Sequence, residues 1–155
     1  MARIEMTTGI RKKAEEVSQY LENPQNMSHY LCSERLRLDQ PSPPLRLGLR
    51  LLGQWTSLSW NLTKVDAGKE VVWQAEGTAS LTMRYTLTAQ KSDRRGHRCS
   101  VKLELDYQLP GGPLGKLLDK LRVEREMTAI GDAIIRALPI ALEGPPRSGL
   151  KHEEP

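Results

Sequence analysis

The sequence contains no phenylalanine, and its aromatic residues are three tryptophans and four tyrosines. Cysteine and histidine are scarce as well, with two cysteines and three histidines in the chain. Cys32 and Cys99 are too few for the disulfide framework of a small secreted protein, so we expect both thiols to stay reduced. The histidines His29, His97 and His152 lack the spacing of metal ligands, which predicts no metal site.

Long apolar runs are absent too. No run approaches the roughly 18 residues that a membrane-spanning helix requires. The first residues, MARIEMTT, lack the apolar core of a signal peptide. A Gly-rich phosphate loop and a nucleophile elbow are also missing. These absences predict a cytoplasmic protein without a cofactor, and they disfavour the enzyme classes that depend on those motifs.

The charges of the chain are mixed and mildly basic. Of its 155 residues 27% are charged and 38% are hydrophobic, with a net charge of +4. This composition is typical of a soluble globular protein, and the length suffices for one domain with its own core. Arg11-Lys12-Lys13 and Arg94-Arg95 are the clearest basic clusters. We interpret them as solvated surface and expect no nucleic-acid partner.

Alternation of apolar and polar residues predicts the strands. It is clearest in RCSVKLELDYQL, residues 98–109, where every second residue from Cys99 to Leu109 is apolar. Residues with a period of two share one face of a strand. The same pattern predicts about seven antiparallel strands joined by short turns. Their predicted bounds are Ala2–Thr8, Glu34–Asp39, Leu45–Gly53, Thr56–Val65, Glu70–Glu76, Ser80–Gln90 and Arg98–Leu109.

Apolar residues at helical spacing occur in three further segments. Lys13–Glu22 is the first predicted helix, and a second short helix is predicted over Asn26–Leu31. The longest helix is predicted over Pro113–Leu138, because proline suits the first turn of a helix. We expect Pro139 to end or kink this helix. Residues 143–155 are rich in proline, glycine and charge, and we expect a mobile tail there.

The apolar residues of the long helix form two stripes on nearly opposite sides. Glu124 and Glu126 lie at the change of side beside Arg122 and Arg125, where we expect a solvated ion-pair cluster. Either the helix bends there, or its two halves face different surfaces. The second stripe would suit a partner chain or a lipid surface. The first stripe is Leu114, Leu117, Leu118 and Leu121, and the second is Met127, Ile130, Ile134 and Leu138.

The order of strand, two short helices, six strands and long helix resembles the helix-grip fold of the START-like (SRPBCC) superfamily. That superfamily includes plant pollen-allergen proteins and bacterial polyketide cyclase/dehydrase and lipid-transport proteins. KKAEEVSQYLENPQNMSHYL resembles its first helix pair, and LELDYQLPGGPLGKLLDKL resembles its last strand, turn and helix start. The resemblance covers residues 1–142 and implies one α+β domain, with an apolar cavity between a curved sheet and the C-terminal helix. It implies no catalytic residue, because the family has no universal catalytic motif.

The inward residues suit such a cavity, although they could also form a solid core. Trp60 and Trp73 could stack on a flat ligand, and Tyr85, Tyr107 or His29 could transfer protons in an enzyme. We favour binding or carriage of a hydrophobic small molecule or lipid. The alternatives are a cyclase or dehydratase of polyketide-like substrates, and a homodimeric or membrane-peripheral interaction module. The predicted ligand-binding residues are Trp60, Trp73, Met83, Tyr85, Leu103, Leu105, Tyr107, Leu118 and Leu121.

Overall fold

The structure, a computed structural model, describes residues 2–94, 96–108 and 116–144. The described elements follow the chain in the predicted order. The strands are β1 Ala2–Ile10, β2 Leu36–Gln40, β3 Arg46–Leu51, β4 Gln54–Asp66, β5 Glu70–Glu76, β6 Ser80–Asp93 and β7 Gly96–Gln108. The helices are α1 Ala14–Glu22, a 3-10 helix over Pro24–His29, and α2 Lys116–Glu143. The predicted helix start at Pro113 and the predicted tail beyond residue 144 lie outside the described residues.

The strands form one antiparallel sheet in the order β1-β7-β6-β5-β4-β3-β2. The first strand pairs with the last, and Met6 lies opposite Leu103. Every other neighbouring pair joins strands that are consecutive in the chain. The sheet curls into a half-barrel around α2, which confirms the predicted α+β helix-grip fold.

The inner face of the sheet forms most of the core. Each large apolar side chain buried there stabilises the fold by roughly 1.5–3 kcal/mol. The alternation also predicts Leu62 on this face, and its register opposite Trp73 agrees. Leu62 is nevertheless 39% exposed. It belongs to the second half of β4, in which every residue from Asn61 to Asp66 is exposed. The buried inner residues of the central strands include Leu58, Trp60, Val71, Trp73, Leu81, Met83, Tyr85, Val101, Leu103 and Leu105.

The hairpin between β6 and β7 is longer than predicted. The sequence predicts a polar loop over Lys91–His97, but β6 continues to Asp93 and β7 begins at Gly96. A register shift between Gln90 and Asp93 lets the pairing resume beyond the last apolar residues. Backbone groups pair whatever the side chains are, so this polar extension leaves no trace in the hydrophobic pattern.

The helical segments before β2 pack on the inner face of the sheet. In α1, Ala14, Val17 and Leu21 are buried, as the helical spacing predicts. The side-chain oxygen of Asn23 then accepts a hydrogen bond from the Gln25 backbone N–H at 3.0 Å, which caps the next turn. That turn is a 3-10 helix over Pro24–His29, which begins two residues before the short helix predicted over Asn26–Leu31.

The second apolar stripe of α2 faces the sheet. Met127, Ile130, Ile134 and Leu138 are buried in the core, so this stripe cannot serve as the predicted surface for a partner chain or a lipid membrane. Gly131 permits the close approach, because a Cβ atom there would lie 3.1 Å from Sδ of Met6. Leu121 of the first stripe is 63% exposed. Leu121 therefore faces solvent, whereas the second stripe faces the sheet.

Pro139 does not end α2. It lies inside the helix, which continues to Glu143. A proline removes one hydrogen bond from a helix, and burial of the neighbouring Leu138 helps to offset that loss. None of the described helices is long and apolar enough to cross a bilayer.

Candidate functional site

Two tryptophans stack on each other at the centre of the inner face. Trp60 lies on β4 and Trp73 on β5, with ring centroids 5.3 Å apart and ring planes inclined by 14°. The indole N–H of Trp73 donates to the carbonyl oxygen of Leu21 at 2.9 Å. The indole N–H of Trp60 donates to the thioether sulfur of Met27 at 3.1 Å. The helical segments before β2 are thus anchored to the tryptophan pair.

Two tyrosines of the helical segments lie close to each other. The rings of Tyr20 and Tyr30 are 5.9 Å apart, and neither hydroxyl has a hydrogen-bond partner in the described part of the chain. Tyr30 is only 2% exposed. Burial raises its pKa, and the neighbouring Tyr20 adds to the rise. The Tyr30 hydroxyl is therefore a protonated donor that lacks an acceptor among the described residues.

Tyr85, a predicted site residue, belongs to the same group. Its side chain is fully buried on β6, and its hydroxyl donates to Sδ of Met83 at 3.0 Å. Burial raises the pKa of Tyr85 well above its ordinary value, with a further contribution from Tyr30. We call Tyr20, Tyr30, Trp60, Trp73 and Tyr85 the aromatic cluster.

The aromatic cluster is rich in donors and poor in acceptors. Two of its donors, on Trp60 and Tyr85, reach only methionine sulfur, which is a weak acceptor. Two more, on Tyr20 and Tyr30, have no partner among the described residues. Buried polar groups in native proteins are nearly always satisfied, and an exception calls for a cause. A ligand oxygen that accepts a hydrogen bond would supply the missing partner.

Tyr107 lies on the strand next to Tyr85, as predicted, but not beside it. Tyr107 pairs with Leu81, whereas Tyr85 pairs with Leu103. Four residues of strand separate the two positions on β6, which corresponds to roughly 13 Å. The pKa of Tyr107 is raised by burial and by the carboxylate of Glu124. The two tyrosines therefore belong to different parts of the interior.

The remaining predicted site residues divide into three groups. Met83, Leu103 and Leu105 are buried on the inner face. His29 is exposed at the end of the 3-10 helix, and Leu121 is exposed on α2, because the opposite side of that helix packs on the sheet. Neither His29 nor Leu121 belongs to the buried interior. The side chain of Leu118 lies outside the described residues.

The interior around the aromatic cluster is tightly packed. Trp60, Trp73, Met83 and Tyr85 have at most 2% of their surface exposed, so their side chains are packed against other side chains. A surface pocket of about 390 Å³ reaches Tyr20 between α1 and the end of α2. Tyr20 is the half-buried member of the cluster, and it both lines this pocket and lies beside the ring of Tyr30. The residues that line the pocket are Lys12, Glu16, Gln19, Tyr20, Asn26, Ala141 and Leu142.

The described residues include no group of three or more histidine, cysteine, aspartate or glutamate side chains that could hold a metal ion. Cys32 and Cys99 are both free thiols. Burial raises the pKa of Cys99 to about 11, so its thiol stays protonated at neutral pH. A thiol is nucleophilic only as the thiolate, and Cys99 is therefore a core residue.

Sequence reasoning missed Tyr20 and Tyr30 as site residues. Both lie in helical segments, where their spacing marks them only as apolar contacts. No pattern in the sequence indicates that a hydroxyl will lack an acceptor, because the possible acceptors come from distant parts of the chain. Trp60 and Trp73 were easier to find, since alternation places both on the inner face, where the register makes them diagonal neighbours.

Comparison with solved structures shows that the chain has a START/Bet v 1-like fold. Comparison with protein-family models gives no match, and neither does comparison with curated protein sequences. At the sequence identities below, the likeness to solved structures concerns the fold.

Three solved structures represent this fold class. The Zhui aromatase/cyclase from Streptomyces sp. R1128 aligns with a TM-score of 0.67 and 12% identity, over 92% of this chain and 93% of that chain. The protein TTHA0849 from Thermus thermophilus aligns with a TM-score of 0.69 and 16% identity, over 91% and 97%. A START superfamily protein from Mycobacterium smegmatis aligns with a TM-score of 0.55 and 14% identity, over 91% and 97%.

Proposed function

We propose that this protein binds a hydrophobic small molecule that carries at least one hydrogen-bond-accepting oxygen, such as a ketone or a quinone. The observation that carries the proposal is the Tyr30 hydroxyl, which is buried without an acceptor among the described residues. A carbonyl oxygen would accept from Tyr30, while the apolar remainder would contact the inner face of the sheet. We also propose a cytoplasmic location, in keeping with two free cysteines.

Entry of the ligand requires side chains to move, because the four members of the aromatic cluster other than Tyr20 have at most 2% of their surface exposed. Tyr20 is the natural residue to move. It lines the surface pocket between α1 and α2, and its ring lies 5.9 Å from that of Tyr30. Its hydroxyl has no partner in the described residues, so no hydrogen bond to them has to break when the ring rotates. We propose this pocket as the entrance.

A second candidate function is a cyclase or dehydratase reaction on a polyketide-like substrate. The full-length likeness to the Zhui aromatase/cyclase favours it. The raised pKa values of Tyr85 and Tyr107 keep both hydroxyls protonated, so either could donate a proton or a hydrogen bond to a substrate carbonyl. A base is harder to assign, because the buried carboxylate Glu104 lies 3.4 Å from Arg3 on the outer face. Binding without chemistry therefore has the stronger support.

A matched pair of ligands tests the proposal. We expect 2-acetylnaphthalene to quench the tryptophan fluorescence saturably at about micromolar concentration. We expect 2-isopropenylnaphthalene, which has the same shape with a CH2 group in place of the carbonyl oxygen, to bind about tenfold more weakly, because one buried hydrogen bond contributes about 1–1.5 kcal/mol. Tyr30→Phe should remove the preference for the ketone and leave the affinity for the hydrocarbon unchanged.

Trp55→Phe is the matched control, because Trp55 is exposed and lies outside the aromatic cluster, and phenylalanine keeps an aromatic ring beside Arg37. Absence of saturable quenching by either compound would contradict binding in the interior. Equal affinity for the two compounds would contradict the role of Tyr30 and leave only apolar contact. Turnover of a β-hydroxyketone to the enone, lost in Tyr85→Phe or Tyr107→Phe, would instead favour the enzyme.

A further inference from the structure

A second pocket, separate from the aromatic cluster, lies between the β2–β3 side of the sheet and α2. Its volume is about 190 Å³, below the roughly 300 Å³ at which pockets begin to hold drug-sized molecules. The size suits a small ion or the end group of a larger molecule. The residues that line it are Glu34, Arg35, Arg50, Gly53, Arg122 and Glu126.

The charges of this pocket do not cancel. Three guanidinium groups face two carboxylates, which leaves one positive charge. Arg35 lies 3.3 Å from Glu34, and Arg122 lies 3.5 Å from Glu126. Arg50 has no carboxylate partner among the residues that the structure describes. The pocket thus has an unneutralised guanidinium group beside two others.

The walls of the pocket are held in place by a hydrogen bond between distant parts of the chain. Leu52 and Gly53 form the β3–β4 turn with positive φ angles of 54° and 80°, as a two-residue hairpin turn requires. The backbone N–H of Leu52 donates to a carboxylate oxygen of Glu126 at 2.9 Å. Only 12% of the Glu126 side chain is exposed. This charge-assisted bond fastens the turn that follows Arg50 to the helix that carries Arg122.

We propose that this pocket binds a phosphate group, either free or as the end group of a phosphorylated molecule. Guanidinium groups bind phosphate oxygens through paired N–H donors. Glu126 is engaged by Leu52 and Arg122, and therefore competes little for Arg50. The bound phosphate would take the place of the missing counter-charge.

The test measures binding of inorganic phosphate to the full chain by titration calorimetry at low salt. We expect saturable binding that Arg50→Gln weakens at least tenfold. Arg46→Gln is the matched control, since Arg46 lies on the same strand and face and donates instead to Ser57, outside the pocket. Arg122→Gln should weaken binding as well, which covers the case in which Arg50→Gln does not fold.

Two further arms identify the source of the phosphate. Co-sedimentation with phosphatidic acid vesicles, but not phosphatidylcholine vesicles, that depends on Arg50 would indicate a lipid headgroup. Phosphate binding without vesicle binding would indicate a soluble ligand. Absence of saturable phosphate binding, or an equal loss in Arg50→Gln and Arg46→Gln, would overturn the proposal. Arg50→Gln should leave the binding of 2-acetylnaphthalene unchanged, so the two proposals stand or fall separately.

Discussion

Polar groups on the outer face of the half-barrel and polar groups in its interior differ in how they are paired. On the outer face of β1 and β7, Arg3 lies 2.7 Å from Asp106 and 3.4 Å from Glu104. On the outer face of β4 to β6, Glu70 lies 2.7 Å from Lys64 and 2.9 Å from Arg84. Inside, the hydroxyls of Tyr20 and Tyr30 have no partner among the described residues.

This difference shows which of these polar groups the chain itself satisfies. Paired charges on the outer face satisfy one another, and exposed ion pairs of this kind contribute little to stability. The unpaired donors inside are a cost to the folded chain that these outer ion pairs do not share. A ligand that accepts hydrogen bonds should therefore stabilise the protein most when it binds in the interior.

Trp73→Ala should have the largest effect, because it removes the stack on Trp60 and the hydrogen bond to Leu21. We expect a loss of about 3–5 kcal/mol in the free energy of unfolding, measured by urea denaturation. Trp55→Ala is the control on the outside, where Trp55 is 39% exposed, and should cost less than about 1 kcal/mol. Similar losses for the two variants would contradict the central place of the tryptophan pair.

Alkaline pH should lower the stability of the protein through groups that are buried in the interior. The pKa of Cys99 is raised to about 11 by burial, and those of Tyr30 and Tyr85 are raised too. The unfolded chain releases these protons at about pH 8.5–10, before the folded chain does. The contribution of these three groups to stability should therefore be fully present below about pH 8.5. It should be lost as the pH rises toward the folded pKa values.

Urea midpoints at about pH 8, 9 and 10 measure this loss, since they span the ionisation of the unfolded chain. In the double variant Cys99→Ala, Tyr30→Phe the urea midpoint should depend less on pH. Of the three groups Cys99, Tyr30 and Tyr85, only Tyr85 then remains to ionise. A wild-type midpoint that does not change over this range would contradict burial of these groups.

Tyr30→Phe should stabilise the ligand-free protein by about 1 kcal/mol, because it removes a buried donor without an acceptor. Tyr85→Phe is the comparison inside the same cluster. Its hydroxyl donates to Met83, so its removal should give no such gain. A destabilised Tyr30→Phe would indicate that the hydroxyl has a partner in solution, and would weaken the proposed function.

Arg3→Gln should have the smallest effect. Its ion pairs with Asp106 and Glu104 are on the outer face, where salt screens them. We expect a lower urea midpoint at low ionic strength and no difference from wild type in about 1 M NaCl, where the screening length is only about 3 Å. A loss that persists at high salt would indicate that the outer face contributes more than its exposure implies.

Much of the sheet could be predicted from the sequence. The bounds of β5, Glu70–Glu76, agree with the prediction at both ends. The inward positions of Trp60, Trp73 and Tyr85 follow from simple alternation. Two bounds differ for separate reasons. The polar end of the β6–β7 hairpin depends on backbone hydrogen bonds, which the hydrophobic pattern does not record. The continuation of α2 past Pro139 to Glu143 is helped by burial of Leu138, which offsets the hydrogen bond that the proline removes.

The candidate site was harder to predict than the fold. Alternation placed Met83, Leu103 and Leu105 inside, but the spacing of α2 offered two stripes and no means of choosing between them. Leu121 was assigned to the interior but is 63% exposed, whereas the stripe from Met127 to Leu138 is buried. Only the position of the sheet decides this, since both stripes are equally apolar.

By itself the sequence determined which residues of each strand share a face, because the period of two is a local property of an extended backbone. It also determined the order of elements that makes a helix-grip fold. Tertiary structure alone decided that Tyr30 lacks an acceptor and that Arg50 lacks a counter-charge among the described residues. Hydrogen bonds and ion pairs join residues that are far apart in the chain, so a missing partner becomes evident only after the chain has folded.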